Sequence, residues 1–182
     1  MTIRLAQSEE DLLLISEMNC QNLGGNLTSE EKEAHGFVSI PYPIDFLKRM
    51  NSRLPQIIAT SGAQVAGYCL LLDRASANEV ELSVPLYPEM DNMEHKNELL
   101  SASDYLIVGQ VCVGKNFRGQ SLSRDLYDFC QKTYSQKYKY LLTTVSVKNP
   151  RSVKAHQKAG FQIMAHQPSL QWFVVVWDWA KG

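Results

Sequence analysis

Residues 111–123 read Val-Cys-Val-Gly-Lys-Asn-Phe-Arg-Gly-Gln-Ser-Leu-Ser. Alternating apolar residues give way to glycines and small hydroxyl residues, and a helical pattern follows, with Leu122, Leu126, Phe129 and Cys130 on one face. That order predicts a strand, a loop and a helix start over 107–132. The first N–H groups of a helix have no intrahelical acceptor, and the helix dipole is positive there, so such a loop suits phosphate. Arg118 adds a guanidinium fork able to pair bidentately with a phosphate. The competing reading is that Gly114 and Gly119 only shape a turn.

Local charge agrees with an anion site. Residues 114–124 and 148–158 together hold seven of the 18 basic side chains and none of the 19 acidic ones. Residues 1–33 and 73–104 lean the other way, with seven acids against Arg4 and Lys32, and eight against Arg74 and Lys96. An anionic cofactor on the basic side and a cationic acceptor on the acidic side would suit this division, although charge runs are commonly solvated faces.

The elements that must position these residues are legible in outline. Ile3–Ala6 is strand-like. Ser8-Glu9-Glu10-Asp11 then supplies a cap and an acidic first turn for a helix whose stripe is Leu12, Ile15, Met18 and Leu23, ended by Gly24-Gly25. A second helix is expected near Ser29, interrupted by Pro41 and Pro43, with a short helix over 45–51. Runs 56–60 and 64–72 flank Ser61-Gly62-Ala63 as a hairpin. Residues 73–103 form a long polar excursion with room for a short helix, of a length that is usually functional or disordered. Strands are expected over 105–113, 141–147, 161–165 and 170–179, and a helix from Asn149-Pro150 to Gly160.

Composition bounds the function. The chain has 182 residues, 45% hydrophobic and 20% charged, with net charge −1, which fits an ordered domain and offers no global field for nucleic acid. The two basic segments lack interleaved aromatics, so a nucleic-acid partner is not expected. Cysteines at 20, 69, 112 and 130 have no zinc or redox spacing and read as reduced, packed thiols, and no metal is expected. The longest apolar run, 172–177, is far short of a membrane span, and 1–7 has no signal-peptide core, so a soluble cytoplasmic protein is expected, with no glycan at Asn26-Leu27-Thr28.

The stretch Val111–Ser123 resembles the acyl-CoA pyrophosphate motif of the GNAT N-acetyltransferase superfamily: Arg or Gln, two residues, Gly, one residue, then Gly or Ala. Asn149-Pro150-Arg151-Ser152 with His156, Lys158, Gly160 and Phe161 resembles the second signature, in the same order and spacing. The resemblance covers nearly the whole chain. It implies one α+β domain over 1–182, a three-layer αβα fold whose mixed, mostly antiparallel sheet has a splayed strand pair at the acyl-CoA site.

The resemblance also implies acetyl transfer from acetyl-CoA to a primary amine of a small molecule or peptide by direct attack. Backbone and side chains of Val111, Cys112, Val113, Arg118, Gly119, Gln120, Ser121, Leu122, Ser123, Asn149 and Ser152 would bind the cofactor. A strand N–H within 111–113 would hold the developing oxyanion. Asn149 would reach the pantetheine arm or simply cap its helix. His156, at the family's Tyr position, would protonate the leaving thiolate.

Three departures stand out. Ser121 and Ser123 replace small motif residues, His156 replaces Tyr, and Gln110 stands where the family often has a basic Glu. The general base is thus open among Glu79, Glu81, Asp104 and His35. The rival reading is a catalytically weak module that only holds acyl-CoA. Homodimerisation stays open.

Overall fold

A computed structural model describes residues 1–30, 37–38, 40–80 and 87–181. The chain forms two compact units: Met1–Leu71 with Gln110–Phe129, and Leu72–Gly109 with Cys130–Gly182.

The first unit opens on β1 (Thr2–Leu5) and α1 (Glu9–Asn22), followed by α2 (Ile44–Arg53), β2 (Ile57–Ser61) and β3 (Gln64–Leu72). Strands β1, β2 and β3 pair antiparallel in sequence order. The Ser8 hydroxyl accepts from the Asp11 N–H, and the Asp11 carboxylate accepts in return from Gln7 and Ser8 N–H, completing the cap anticipated from the sequence. Asp11 does more than cap. Both its oxygens accept from the Arg4 guanidinium, at 2.6 and 2.7 Å, and so fasten α1 to β1.

The buried stripe of α1 is Asp11, Leu12, Ile15, Met18 and Asn19, and the helix stops before Leu23. It packs beside α2, whose Leu47 and Met50 are fully covered, and Ile57, Ile58 and Ala59 of β2 are buried as well. Of the helix expected near Ser29, Ser29 and Glu30 are helical, and residues 31–36 lie outside the described ones.

The second unit begins with the excursion. It carries two short helices, α3 (Arg74–Ala77) and α4 (Tyr87–Asp91), and the two-residue strands β4 (Glu94–His95) and β5 (Glu98–Leu99), more structure than the sequence suggested. Lys96 and Asn97 both take positive φ, 54° and 64°, which is the twist a two-residue hairpin turn needs. Arg74 gathers the segment. Its guanidinium donates to the carbonyls of Leu100, Ser101 and Ser103, lies 3.0 Å from Asp91 and sits 4.6 Å from the Tyr105 ring, while the Tyr105 hydroxyl donates to Asp91.

β6 (Tyr105–Val113) has the bounds read from the sequence. Its first five residues belong to the second unit and its last four to the first. In the second unit β6 runs beside β7 (Tyr140–Ser146), with β9 (Trp172–Asp178) and then β8 (Gln162–Gln167) beyond it. The parallel β6–β7 ladder spans only Tyr105–Ile107 against Tyr140–Leu142. The Val108 carbonyl takes the Thr143 hydroxyl at 2.8 Å, and β7 is paired with β9 as far as Ser146.

β9 starts later than expected because Gln167–Gln171 form a tight turn, with Leu170 N–H on Gln167 and Gln171 N–H on Pro168. The helix α6 (Pro150–Ala159) ends at Gly160, φ +110°, where a Cβ would sit 2.8 Å from the Trp177 ring nitrogen, so glycine is required twice over.

The remaining helix, α5 (Leu122–Tyr134), is entered through Gly119 and Ser121, with φ of 79° and 61°. Glycine accepts this conformation freely, whereas a left-handed L-residue costs roughly 1–2 kcal/mol. After glycine's own entropic cost, Ser121→Gly is expected to gain about 0.5–1 kcal/mol, read as a melting temperature higher by roughly 1–4 °C. Ser121→Val should move it down by at least as much, and equal melting of all three proteins would refute the strain.

Arg4 holds the Asp11 carboxyl down to about 2, helped by the Gln7 and Ser8 N–H groups and opposed by burial. A carboxylate with a folded pKa below its unfolded value of about 3.9 stabilises the fold fully above pH 4 and loses that contribution as pH falls toward 2. Asp11→Asn is expected to cost roughly 2 kcal/mol at pH 7 in urea unfolding. The gap to wild type should close between pH 4 and 2.

Candidate active site

In the first unit β6 ends where the Gly114 N–H donates to the Ala66 carbonyl at 2.8 Å. A single 3₁₀ turn, Lys115–Phe117, follows, and then Arg118, left-handed Gly119, Gln120, left-handed Ser121 and the start of α5. The Ser121 carbonyl accepts from both Arg124 and Asp125 N–H, which makes Ser121 the helix cap. Among the described residues no protein acceptor takes the backbone N–H of residues 118–123. Gly119, Gln120 and Ser121 are exposed. A row of free amides at a helix start is what a diphosphate needs, and the residues present fit one.

The side chains of the loop divide their work differently from the expectation. Arg118 does not hold its whole fork ready for phosphate. Its Nε–H donates to the Val113 carbonyl at 3.1 Å and an Nη2–H donates to Asn22 Oδ1 at 2.9 Å. Leu122 is buried against Gly67 of β3, so its side chain belongs to the core. Cys112 is buried as well, and burial pushes its thiol up to about 11, with Arg118 and Tyr68 acting in the opposite direction. Cys69 is raised by burial too. Both thiols are protonated at neutral pH, which disfavours an acyl-cysteine route and suits direct attack.

Gln110, at the position read as lacking a base, is the centre of a buried uncharged cluster. Its Oε1 accepts from the Tyr68 hydroxyl at 2.5 Å and from Asn19 Nδ2 at 2.6 Å. Its Nε2 donates to the Ile40 carbonyl at 3.1 Å, which also receives Asn19 Nδ2 at 3.1 Å, and Asn19 Oδ1 accepts the Tyr42 N–H at 3.0 Å. Burial raises the Tyr68 hydroxyl far above its ordinary pKa, so it stays a donor. With its oxygen doubly occupied, Gln110 anchors residues 40–42 to β6. Sequence reading missed Asn19 and Tyr68. Asn19 carried a signal, since its spacing of four from Ile15 and seven from Leu12 puts it on the buried stripe.

In the second unit Asn149 caps α6, its Oδ1 accepting the Ser152 N–H at 3.0 Å; the cap reading of Asn149 is realised. His156 is buried on α6, with its ring edge-on to Phe161 at 5.2 Å and Phe161 in turn against Trp177. Its Nδ1 lies 2.8 Å from the Ser152 carbonyl oxygen. A carbonyl only accepts, so Nδ1 carries the proton, and in the neutral ring Nε2 is the basic atom. Burial lowers the pKa below 6.5, with the Ser152 bond partly offsetting it. In that tautomer the N–H of the neutral ring goes to Ser152, so the N–H expected for the thiolate requires the imidazolium.

Of the candidate bases, Glu79 and Asp104 are exposed in the second unit, and Glu81 and His35 lie outside the described residues. No helix of the described residues is long and apolar enough to cross a membrane.

Comparison with known proteins places this geometry. Solved structures of the same fold include a putative acetyltransferase of Salmonella typhimurium with its cofactor acetyl-CoA, at TM-score 0.65 and 15% identity over 98% of this chain and 93% of that one. The ribosomal-protein-S18-alanine N-acetyltransferase of Escherichia coli aligns at TM-score 0.61 and 12% identity over 97% and 92%. The NatC complex bound to Gag peptide and CoA aligns at 0.63 and 14% over 97% of each chain. No curated protein matches by sequence. The model of the acetyltransferase (GNAT) family matches residues 26–161, which hold both motifs, the free amides lying within the first. The chain belongs to the GNAT acetyltransferase family.

Proposed function

We propose that this acetyltransferase moves acetyl from acetyl-CoA to a primary amine of a small molecule or peptide by direct attack. The observation that carries the reading is the row of unaccepted N–H groups over residues 118–123, opened by two left-handed residues at the start of α5. These amides and the helix dipole hold the diphosphate without a side-chain charge. Acetyl-CoA supplies an activated acyl group with a thiolate leaving group. The backbone of Val111–Val113, beyond the short β6–β7 ladder, provides N–H groups for the oxyanion. The nitrogen–carbon bond forms as the carbon–sulfur bond breaks, and the ammonium proton must leave before attack.

The structural neighbours solved with peptides or named for a protein alanine support a peptide α-amine as one acceptor class to test. An α-amine has a pKa near 7.7–8 and is far more often neutral at pH 7 than a lysine near 10.4.

Melting with and without acetyl-CoA tests the binding step. At 100 times the dissociation constant the ligand adds about 2.7 kcal/mol, or roughly 5–11 °C for a chain of this length. No shift at millimolar acetyl-CoA would overturn the reading. Thiol release over a panel of small peptides, polyamines and arylamines then tests transfer.

We assign His156 Nε2 a proton-accepting contact in the catalytic cycle, in place of thiolate protonation. His156→Phe should lower turnover several-fold while leaving acetyl-CoA binding intact. Because burial depresses its pKa, protonation of an active neutral His156 adds a fall in rate below about pH 6.5 to the one set by the acceptor ammonium. That added limb should vanish in the variant. A rate that instead falls as pH rises through the same range would mean that the imidazolium donates.

A further inference from the structure

The motif would send Arg118 outward to a phosphate, and the structure turns it inward. The bond to the Val113 carbonyl closes the loop on itself across the Lys115–Phe117 turn, and the bond to Asn22 ties the loop to the last residue of α1. Close packing alone does not set the position of this loop, although Met18 lies against Gly114 at its start. A cleft of about 550 Å³ opens between α1 and the loop, lined by Met18, Asn22, Val65, Lys115, Phe117 and Arg118 among others. Directional bonds must do what packing does elsewhere.

Asn22 is committed in several directions. Its Nδ2 donates to the Met18 carbonyl at 2.9 Å, and its own carbonyl accepts the Val38 N–H at 3.1 Å. Two residues on, the Gly24 N–H donates to the Val38 carbonyl at 3.0 Å, beside a parallel bridge of Leu23 with Val38. One amide side chain thus joins the diphosphate loop to a helix end, and the same residue's backbone joins that end to the chain at Val38.

We infer that Asn22 is a positioning residue for the diphosphate loop, acting through Arg118, and that it couples acyl-CoA binding to the order of the Gly24–Val38 contact. This rests on the diphosphate reading above. Losing the Asn22 oxygen leaves Arg118 with its loop-internal bond alone, so the amides at 119–123 are no longer held relative to α1. Arg118 also loses the contact that keeps its charge turned inward. Binding then has to reorder the loop, and affinity drops by that amount.

Titration calorimetry with CoA on wild type, Asn22→Ala, Arg118→Ala and the double variant tests this. Each single change should weaken binding about tenfold, the equivalent of about 1.4 kcal/mol, and the double should be no weaker than the worse single. Asn22→Asp keeps an acceptor for Arg118 and should bind within about threefold of wild type. Amide exchange at Gly24 and Val38 should slow on adding CoA in wild type and Asn22→Asp, and not in Asn22→Ala. Additive losses, near a hundredfold in the double, would mean that Arg118 grips the diphosphate by itself and would overturn the inference. So would an Asn22→Ala protein that melts lower yet binds CoA normally, the signature of a purely structural role. If Asn22→Ala does not fold, Asn22→Gln, which displaces the oxygen, should show the same weakening and is judged the same way. Wild type that fails to bind CoA overturns the diphosphate reading itself, an outcome distinct from the others.

Discussion

A backbone N–H that has left water must find an acceptor, and a helix start holds several that cannot find one within the helix. In this chain the groups over residues 118–123 have none among the described residues, and Gly119, Gln120 and Ser121 are exposed, where solvent or an anion can reach them. Much of the first unit serves to hold that arrangement. Leu122 drives its side chain into the core beside Gly67, which fixes the helix origin. Arg118 bridges the loop's own ends, and Gly119 and Ser121 supply the two left-handed turns that aim the amides outward. The strain at Ser121 is stored where a ligand is expected to recover it.

The polar interior near β6 is kept neutral. Gln110, Asn19 and Tyr68 share donors and acceptors with one another and with Ile40 and Tyr42 over 2.5–3.4 Å. A carboxylate at position 110 would keep the two donors on its oxygen but face the Ile40 carbonyl with a second oxygen in place of an N–H. That contact would be repulsive, and the charge would be buried without a cation. The amide therefore trades a proton-accepting group for a fixed connection to residues 40–42. His156 in the other unit follows the same logic: burial and the Ser152 carbonyl favour one neutral tautomer.

What the sequence revealed about this fold was local chemistry. The Ser8–Asp11 box, the Pro150 helix with its Gly160 stop, the 105–113 strand and the Ser61–Ala63 hairpin turn each depend on neighbours a few residues away, and each is present. The excursion was harder to read because α3 and α4 are single turns, too short for periodicity, and their organiser is Arg74 reaching 26–29 residues along the chain. At the site, the strand, the loop and the helix start were legible and the loop's side-chain directions were not. Arg118 could point to solvent or to Asn22, 96 residues away, and only tertiary structure decides. The His156 tautomer is settled by a carbonyl one helical turn back, at a distance that spacing suggests but cannot establish. Tyr68 gave no signal, since a tyrosine in an apolar strand is ordinarily just core.

On the proposed reading, a diphosphate site of this kind tolerates wide change in its side chains. When recognition runs through main-chain amides, the side chains in the loop are constrained only by the backbone angles they must permit and by what anchors them from behind. Ser can stand at 121 because its left-handed φ costs energy without blocking the N–H. Arg118 can leave phosphate contact to the amides and serve as an anchor instead. A substitution that forbids the angle, or that cuts the anchor, removes the site while leaving the motif almost intact by letter. The physical content of the motif is thus a set of φ values and one fixed end, and its residue types are the cheapest means of reaching them.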